Sequence, residues 1–285
     1  MKHKILLTGA AGCLGRAVRR VAGDEIAFVC LDIAAKGDPA VQEGSFTDAA
    51  LLDRLLPGCD AVIHTAGLHG GNRLTHTPTQ FTEVNVMGLV TLLEAAKKHG
   101  AKRFVFSSTM EVLIGVDWDA SGMAVVDERT EPNPDWIYPV NKLSGEQIGL
   151  HYHRHQGMEF VALRYMWFDD AMGQTPLLLS RFILPDDVAR ANLLAATRPG
   201  LGYEVLNIGP ETPLTNKDIV KAMTDPYAVV EKYWPGAAQV LRDREIALET
   251  RHFWPVTRIE RAKQILGWQP ENTFAAYLQS LGWRP

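Results

Sequence analysis

Tyr138 and Lys142 stand four residues apart in YPVNK, at the start of a stretch whose apolar spacing predicts a helix. That spacing puts both side chains on one helix face. A phenol titrates near 10 in water, and a neighbouring ammonium favours its ionised form. Such a pair can take a proton from an alcohol as hydride leaves the carbon for an oxidised nicotinamide ring, whose positive charge also favours phenolate. A carboxylate, Glu111, follows the apolar run RFVFSS in the segment SSTMEVLIG, where the chain should be leaving a buried strand. Beside a newly formed ketone it would be a base for the acidified neighbouring C–H. The other reading is a charge that caps a loop or pairs with an arginine.

A second group of residues could hold the hydride acceptor. LLTGAAGCLG sets Gly9, Gly12 and Gly15 between the first apolar run and the first helical pattern, with Ala11, Cys13 and Leu14 among them. Small residues there let the backbone approach a pyrophosphate, and the helix N-terminus supplies free N–H groups and positive potential. Asp32 closes the next apolar run, FVCLDI. A carboxylate at that point accepts hydrogen bonds from the adenosine ribose hydroxyls and repels a 2′-phosphate. No arginine follows within the next few residues, so NAD is expected rather than NADP.

The elements that must position these groups follow from an alternation of short apolar runs with amphipathic stretches. KILLT, AFVCLD, AVIHTA, RFVFSS, EFVALRY and YEVLNIG predict buried strands. LGRAVRRVAG, DAALLDRLLPG, NVMGLVTLLEAAKKHG, KLSGEQIGLHYHRHQG, DDVARANLLAAT, NKDIVKAM and RIERAKQILG predict helices. This order specifies an α/β protein with a doubly wound parallel sheet and helices on both faces. His151, His153 and His155 in HYHRH are two apart, a spacing that scatters them around a helix axis, so a packed or solvated face is expected and no metal site.

At 285 residues the chain suits one large α/β domain or a domain with a smaller lobe. A formal net charge of −4 leaves no basic footprint for nucleic acid and no polybasic patch for a membrane. The start, MKHKILLTGAAG, is too glycine-rich and too short in apolar run for a signal peptide, and no stretch has membrane-spanning length. Cys13, Cys30 and Cys59 lack zinc-site spacing and form no obvious disulfide set, which suggests reduced thiols in a cytoplasmic protein.

Together these motifs resemble those of the extended short-chain dehydrogenase/reductases, in the NAD-dependent epimerase/dehydratase group that acts on sugars. TGAAGCLG is similar to that family's TGxxGxxG, VIHTAG to its VIHxAA, EVNVMGLVTLLEAA to its Asn-containing helix and FSST to its Ser/Thr strand. YPVNK, LRY, DDVARANL, LNIG and AKQILGWQP follow in the family's order, so the resemblance runs nearly end to end. It implies a Rossmann core over residues 1–163 and about 182–208, and a smaller substrate-side lobe over about 164–181 and 209–285. It also implies tightly held NAD, a sugar-like substrate and a homodimer. The family's catalytic Ser/Thr falls on Thr109, its base on Tyr138 and its lysine on Lys142, with Ser107 on the cofactor side of the same strand end. Thr65, Ala66 and Gly67 would approach the cofactor through the backbone, and Asn85 would lie near the nicotinamide ribose. Ser45 and Phe46, in EGSFTD, fall where the family has an Asp and an apolar residue beside the adenine; Ser45 departs from that Asp.

Other departures bear on the reaction. The nucleotide-sugar 4,6-dehydratases end this strand Thr-Asp-Glu, whereas here it ends Thr109-Met110-Glu111. Met110 cannot protonate a departing hydroxyl, so oxidation alone, or epimerisation beside the ketone, gains over net dehydration. The segment VLIG, ending in Ile114 and Gly115, departs from the family's VYG. Between LRY and DDVARA only MWFDDAMGQTPLLLSRFILP intervenes, shorter than in members that grip a nucleoside diphosphate. The shortening resembles uronate and aldose-type dehydrogenases, which take an unactivated sugar or sugar acid. Trp167 replaces the usual asparagine, and Arg181 and Arg164 remain to meet an anion, although a strand-end arginine more commonly pairs with a core carboxylate. In the loop GLHGGNRLTHTP, His69, Asn72, Arg73 and His76 are candidates for substrate hydroxyl or carboxylate contacts. Three readings therefore stand: an NAD-dependent dehydrogenase or epimerase of a sugar; a nucleotide-sugar 4-epimerase, dehydratase or decarboxylase using Glu111; and a non-catalytic dinucleotide sensor, which the retained Tyr–Lys pair disfavours.

Overall fold

Ile5, Leu6 and Leu7 have no exposed surface, a pattern that fits a strand covered on both faces. In the computed structural model, which describes residues 3–113 and 125–285, they lie in β1 (His3–Thr8). Ile114 and Gly115 fall outside the described residues. Around β1 gather β2 (Ile26–Asp32), β3 (Val41–Glu43), β4 (Ala61–His64), β5 (Arg103–Thr109), β7 (Glu159–Tyr165) and β8 (Tyr203–Ile208). They form a seven-stranded sheet in the order β3-β2-β1-β4-β5-β7-β8, with every pair parallel. Side chains alternate between faces. Ile5 and Leu7 pack with Leu14, Val18 and Val188, while Leu6 packs with Leu52, Leu92 and Phe104. The remaining strands, β6 (Val125–Val126) and β9 (Val256–Thr257), pair in a small second sheet.

Helices α1 (Cys13–Val21) and α6 (Pro185–Thr197) supply apolar residues to one face. Helices α2 (Ala49–Leu55), α4 (Gly88–Lys98) and α5 (Ile137–Gln156) serve the other. The short α3 (Pro78–Thr82) runs into α4 through a π-type turn over Glu83–Met87, a distortion that turns Asn85 inward. Helix α5 rides directly on the sheet: a Cβ at Gly149 would lie 2.2 Å from the Phe160 ring. The close approach fixes the height of the Tyr138–Lys142 face above β5.

Beyond β8 come α7 (Asn216–Ala222), α8 (Pro226–Tyr233), α9 (Ala237–Asp243), α10 (Glu260–Leu266) and α11 (Phe274–Ser280). Leu178, Phe182, Val230, Leu241, Phe253 and Phe274 form a separate core there. The lobe is tied back to the sheet at Asp187 in α6. Its buried carboxylate accepts the backbone N–H groups of Glu271 (2.7 Å) and Asn272 (3.2 Å) and the Asn272 amide (2.9 Å). The Trp268 indole donates to the Asp187 carbonyl at 2.9 Å.

The strands and long helices expected from the apolar pattern are present. β3, β6, β9, α3, α8, α9 and α11 are further elements that the apolar pattern did not announce. The histidines of HYHRH lie on an exposed to half-buried face, as expected. His151 and His155 are one turn apart on α5, and their ring centroids approach to 4.8 Å, while His153 turns to the Met158 carbonyl. Among the described residues no helix is long and apolar enough to cross a membrane.

Candidate active site

The strand order reverses between β1 and β4, and in open α/β sheets ligands bind at the carboxyl ends beside such a reversal. Gly9 lies there with φ of 72°, and a Cβ on it would stand 2.6 Å from Thr65 Oγ1. A Cβ on Gly15 would stand 2.1 Å from the Gly9 carbonyl oxygen. Gly12 precedes α1 and contributes no side-chain cap, so the N–H groups of the first turn, at Cys13 and Leu14, remain open to an anion. The Asp32 carboxylate accepts the Ala11 N–H at 2.9 Å, bridging the loop to the end of β2. A backbone cradle, open helix donors and a strand-end carboxylate fit a dinucleotide. Two cations also border the loop: Arg16 donates to the Ala11 carbonyl at 2.7 Å, and Lys36 Nζ lies 3.4 Å from it.

Behind this cradle, Thr65 donates to the Thr8 carbonyl at 2.7 Å, and the Thr8 hydroxyl meets His64 Nδ1 at 2.7 Å. His64 is buried, and burial together with the Lys142 charge takes its pKa down to about 3. Ala66 and Gly67 continue the strand end, and Asn85 holds Leu68 by two bonds of 2.9 Å, to its N–H and its carbonyl. Ser45 bonds Thr47 at 2.8 Å. Phe46 is buried, its ring edge-on to His64 with centroids 4.7 Å apart, so it serves the core with its side chain. Burial raises the pKa of Cys13, Cys30 and Cys59, and all three stay protonated thiols.

The end of β5 carries Ser107 and Thr109, and α5 brings Tyr138 and Lys142 over it. The Thr109 hydroxyl lies near enough to the Tyr138 phenol to favour its ionised form, and it accepts the Glu111 N–H at 3.1 Å. Ser107 lies 3.3 Å from the Tyr165 hydroxyl, which donates to Asn192. Lys142 Nζ stands 4.9 Å from the centroid of the Phe106 ring and 5.7 Å from that of Tyr138, and burial takes its pKa down to about 8. Tyr138 departs from the expectation of a ready phenolate. Burial and the Glu111 charge push its pKa well above the ordinary phenol range, so the unliganded site holds it protonated.

Glu111 accepts the Trp136 indole N–H at 2.9 Å, and burial raises its pKa. The Arg73 guanidinium lies over the same indole, 5.0 Å from its centroid. The cleft loop supplies His69, Asn72 and His76, but their side chains partly hold the loop itself. His69 Nδ1 accepts the Gly71 N–H (3.3 Å), Asn72 accepts the His69 N–H (3.0 Å), and His76 bonds Thr75 (2.9 Å). Burial and Lys142 lower the His69 pKa. Trp167, 49% exposed, stands edge-on to Phe182 beside Arg181, with no ring contact or hydrogen bond to the Tyr138 group among the described residues. Two residues singled out along the sequence are buried. Met110 is buried in the main core cluster with Val112 and Tyr165. Arg164 is committed to Glu146, at 2.9 and 2.7 Å, and the same carboxylate accepts the Ser108 hydroxyl at 2.6 Å. Trp136 and its neighbour Phe81 were missed. The only signal for Trp136 was an indole donor two residues before Tyr138, in DWIYP.

The sequence profile described as the NAD dependent epimerase/dehydratase family matches residues 5–167. The chain belongs to this family. A uronate dehydrogenase of Pseudomonas syringae pv. tomato is 28% identical, over 72% of this chain and 73% of that protein. A dTDP-glucose 4,6-dehydratase of Streptomyces antibioticus is also 28% identical, over 95% of this chain and 89% of that protein. Among solved structures, a glucuronic acid dehydrogenase from Chromohalobacter salexigens superposes with a TM-score of 0.70 at 20% identity, covering 100% of this chain and 90% of that one. Membership makes this an NAD-dependent enzyme, as the glycine loop, Asp32 and the Tyr–Lys pair implied. The doubly wound parallel fold is likewise that of the family.

Proposed function

We propose that this epimerase/dehydratase family member oxidises a carbinol of an unactivated sugar or sugar acid. Bound NAD supplies the hydride acceptor and a positive ring. Gly9, Ala11, Gly12, Cys13, Leu14 and Gly15 hold its pyrophosphate, Asp32 its ribose, and Thr65, Ala66, Gly67 and Asn85 the strand-end side; Ser45 and Phe46 border the adenine through their backbone. Thr109 holds the substrate hydroxyl against Tyr138. With NAD bound, Tyr138 would release its proton to solvent and then accept the substrate O–H proton as the C–H hydride passes to the oxidised nicotinamide ring. Lys142 stabilises the phenolate. The observation that carries this reading is the meeting of Thr109, Tyr138 and Lys142 at the same sheet edge as the glycine cradle. Support for an unactivated substrate comes from the short segment between β7 and α6 and from the uronate dehydrogenase relative. Arg73, His69, Trp167 and Arg181 are the side chains offered to it. The test is a panel of uronates, aldoses and nucleotide sugars with NAD, followed by NADH absorbance. Stoichiometric NADH from a uronate or aldose is expected, and Tyr138→Phe lowers the rate by at least about 100-fold. Undiminished turnover in that variant overturns the mechanism.

A second reading rests on Glu111, which lies close enough to Tyr138 to raise its pKa. A base there would remove the C–H beside the new ketone and lead to epimerisation or elimination. Glu111→Gln then blocks solvent-deuterium incorporation at that carbon while sparing oxidation; persistent incorporation makes Glu111 structural.

The same reading makes residues 164–181 and 209–285 the substrate-side lobe, and places the enzyme in the cytoplasm as a homodimer. Support for pairing comes from Met87 and Val140, 61% and 39% exposed on the packed α4 and α5 region. Sedimentation equilibrium decides it, with a monomer mass contradicting the dimer.

A further inference from the structure

Trp136 precedes the first turn of α5 but makes no side-chain cap to it. Its contacts go elsewhere. The indole N–H donates to Glu111 Oε2, Arg73 lies over the ring, and the ring meets Phe81 at 5.9 Å and Tyr138 at 5.4 Å between centroids. One side chain therefore touches the cleft loop, the carboxylate after β5 and the phenol on α5. The groups that face Glu111 among the described residues are Asp135 and Tyr138 from the start of α5, Arg73 from the loop, and Thr109, whose hydroxyl takes the Glu111 backbone N–H.

We infer that Trp136 is a positioning residue: its N–H holds the Glu111 carboxylate charged beside Tyr138, while its face seats Arg73, so one ring contacts the catalytic phenol, a carboxylate and a guanidinium together. The inference rests on the reading of Tyr138 as proton acceptor. A half-buried carboxylate tends to take up a proton, and a donor aimed at its oxygen opposes this. Asp135 works against the charged state and Arg73 works for it. The fixed charge in turn disfavours phenolate at Tyr138, which keeps the phenol protonated until the positive nicotinamide ring is present.

The test is carbon-13 NMR of protein labelled at the glutamate carboxyls, with the Glu111 resonance assigned by its loss in Glu111→Gln. Trp136→Phe retains a ring for Arg73 and Phe81 and removes only the N–H. The Glu111 midpoint is expected to rise by about one pH unit, the size of a lost charge-assisted hydrogen bond. Arg73→Gln, at an exposed position that spares the fold, raises the same midpoint by less. Any inflection in the kcat/KM profile that Glu111→Gln removes moves to higher pH in Trp136→Phe. An unmoved Glu111 midpoint in both variants overturns the proposal. The resonance needs no substrate, so it decides the role of Trp136 even if no sugar on the panel is oxidised, an outcome that would refute the proposed function alone.

Discussion

At Lys142 chemistry and stability pull in opposite directions. Burial lowers its pKa from 10.5 to about 8. Between those values the unfolded chain keeps a proton that the folded chain has released, so this group makes stability rise with pH across that window. Below it the charged lysine burdens the folded state by about 3 kcal/mol, at about 1.4 kcal/mol per pH unit. Lys142→Met is therefore expected to melt higher than the wild type at pH 7 while losing at least about 100-fold in turnover. A variant that is both slower and less stable would show that contact with the Phe106 ring outweighs the desolvation. The pairing of Tyr138 with Lys142 was readable from their spacing. The protonated state of the phenol was not, because it depends on Glu111 and on burial supplied by other segments.

Helix α6 illustrates how an element can be legible while its purpose is not. The run DDVARANLLAAT announces a helix through its apolar spacing and early acidic residues. Nothing in it reveals that Asp187 is fully buried and gathers three donors from residues 271–272. Asp187→Ala leaves those donors and the nearby Arg190 guanidinium without their carboxylate, at a cost of about 3 kcal/mol. Hydrogen exchange should quicken first in residues 268–278, with the sheet amides protected for longer. Uniform acceleration across the chain would mean that the tie is not local. The π-type turn at Glu83–Met87 makes the same point, since EVNVMGLVTLLEAA reads as uninterrupted helix although the distortion is what buries Asn85.

For the molecule as a whole, acid is the expected weakness, and His64 is one source. Its folded pKa is about 3 against an ordinary 6.5, so below 6.5 the unfolded chain takes a proton that the folded chain refuses. Stability falls as pH drops through that window, by about 2 kcal/mol between pH 7 and 5 from this group alone. His64→Phe should show a smaller loss in urea midpoint over that interval, and an equal loss would place the acid sensitivity elsewhere. The order of strands and helices, the glycine loop and the Tyr–Lys spacing were all determined along the chain, because backbone sterics and the periods of strand and helix act between near neighbours. That information was enough for the doubly wound sheet and its NAD chemistry. The company kept by each charge was decided only in three dimensions. Arg164 found Glu146, Met110 entered the core, and Trp136 came to stand between Arg73, Glu111 and Tyr138. Desolvation and Coulomb forces depend on distance through space, and the segments that meet at this site are far apart in the chain.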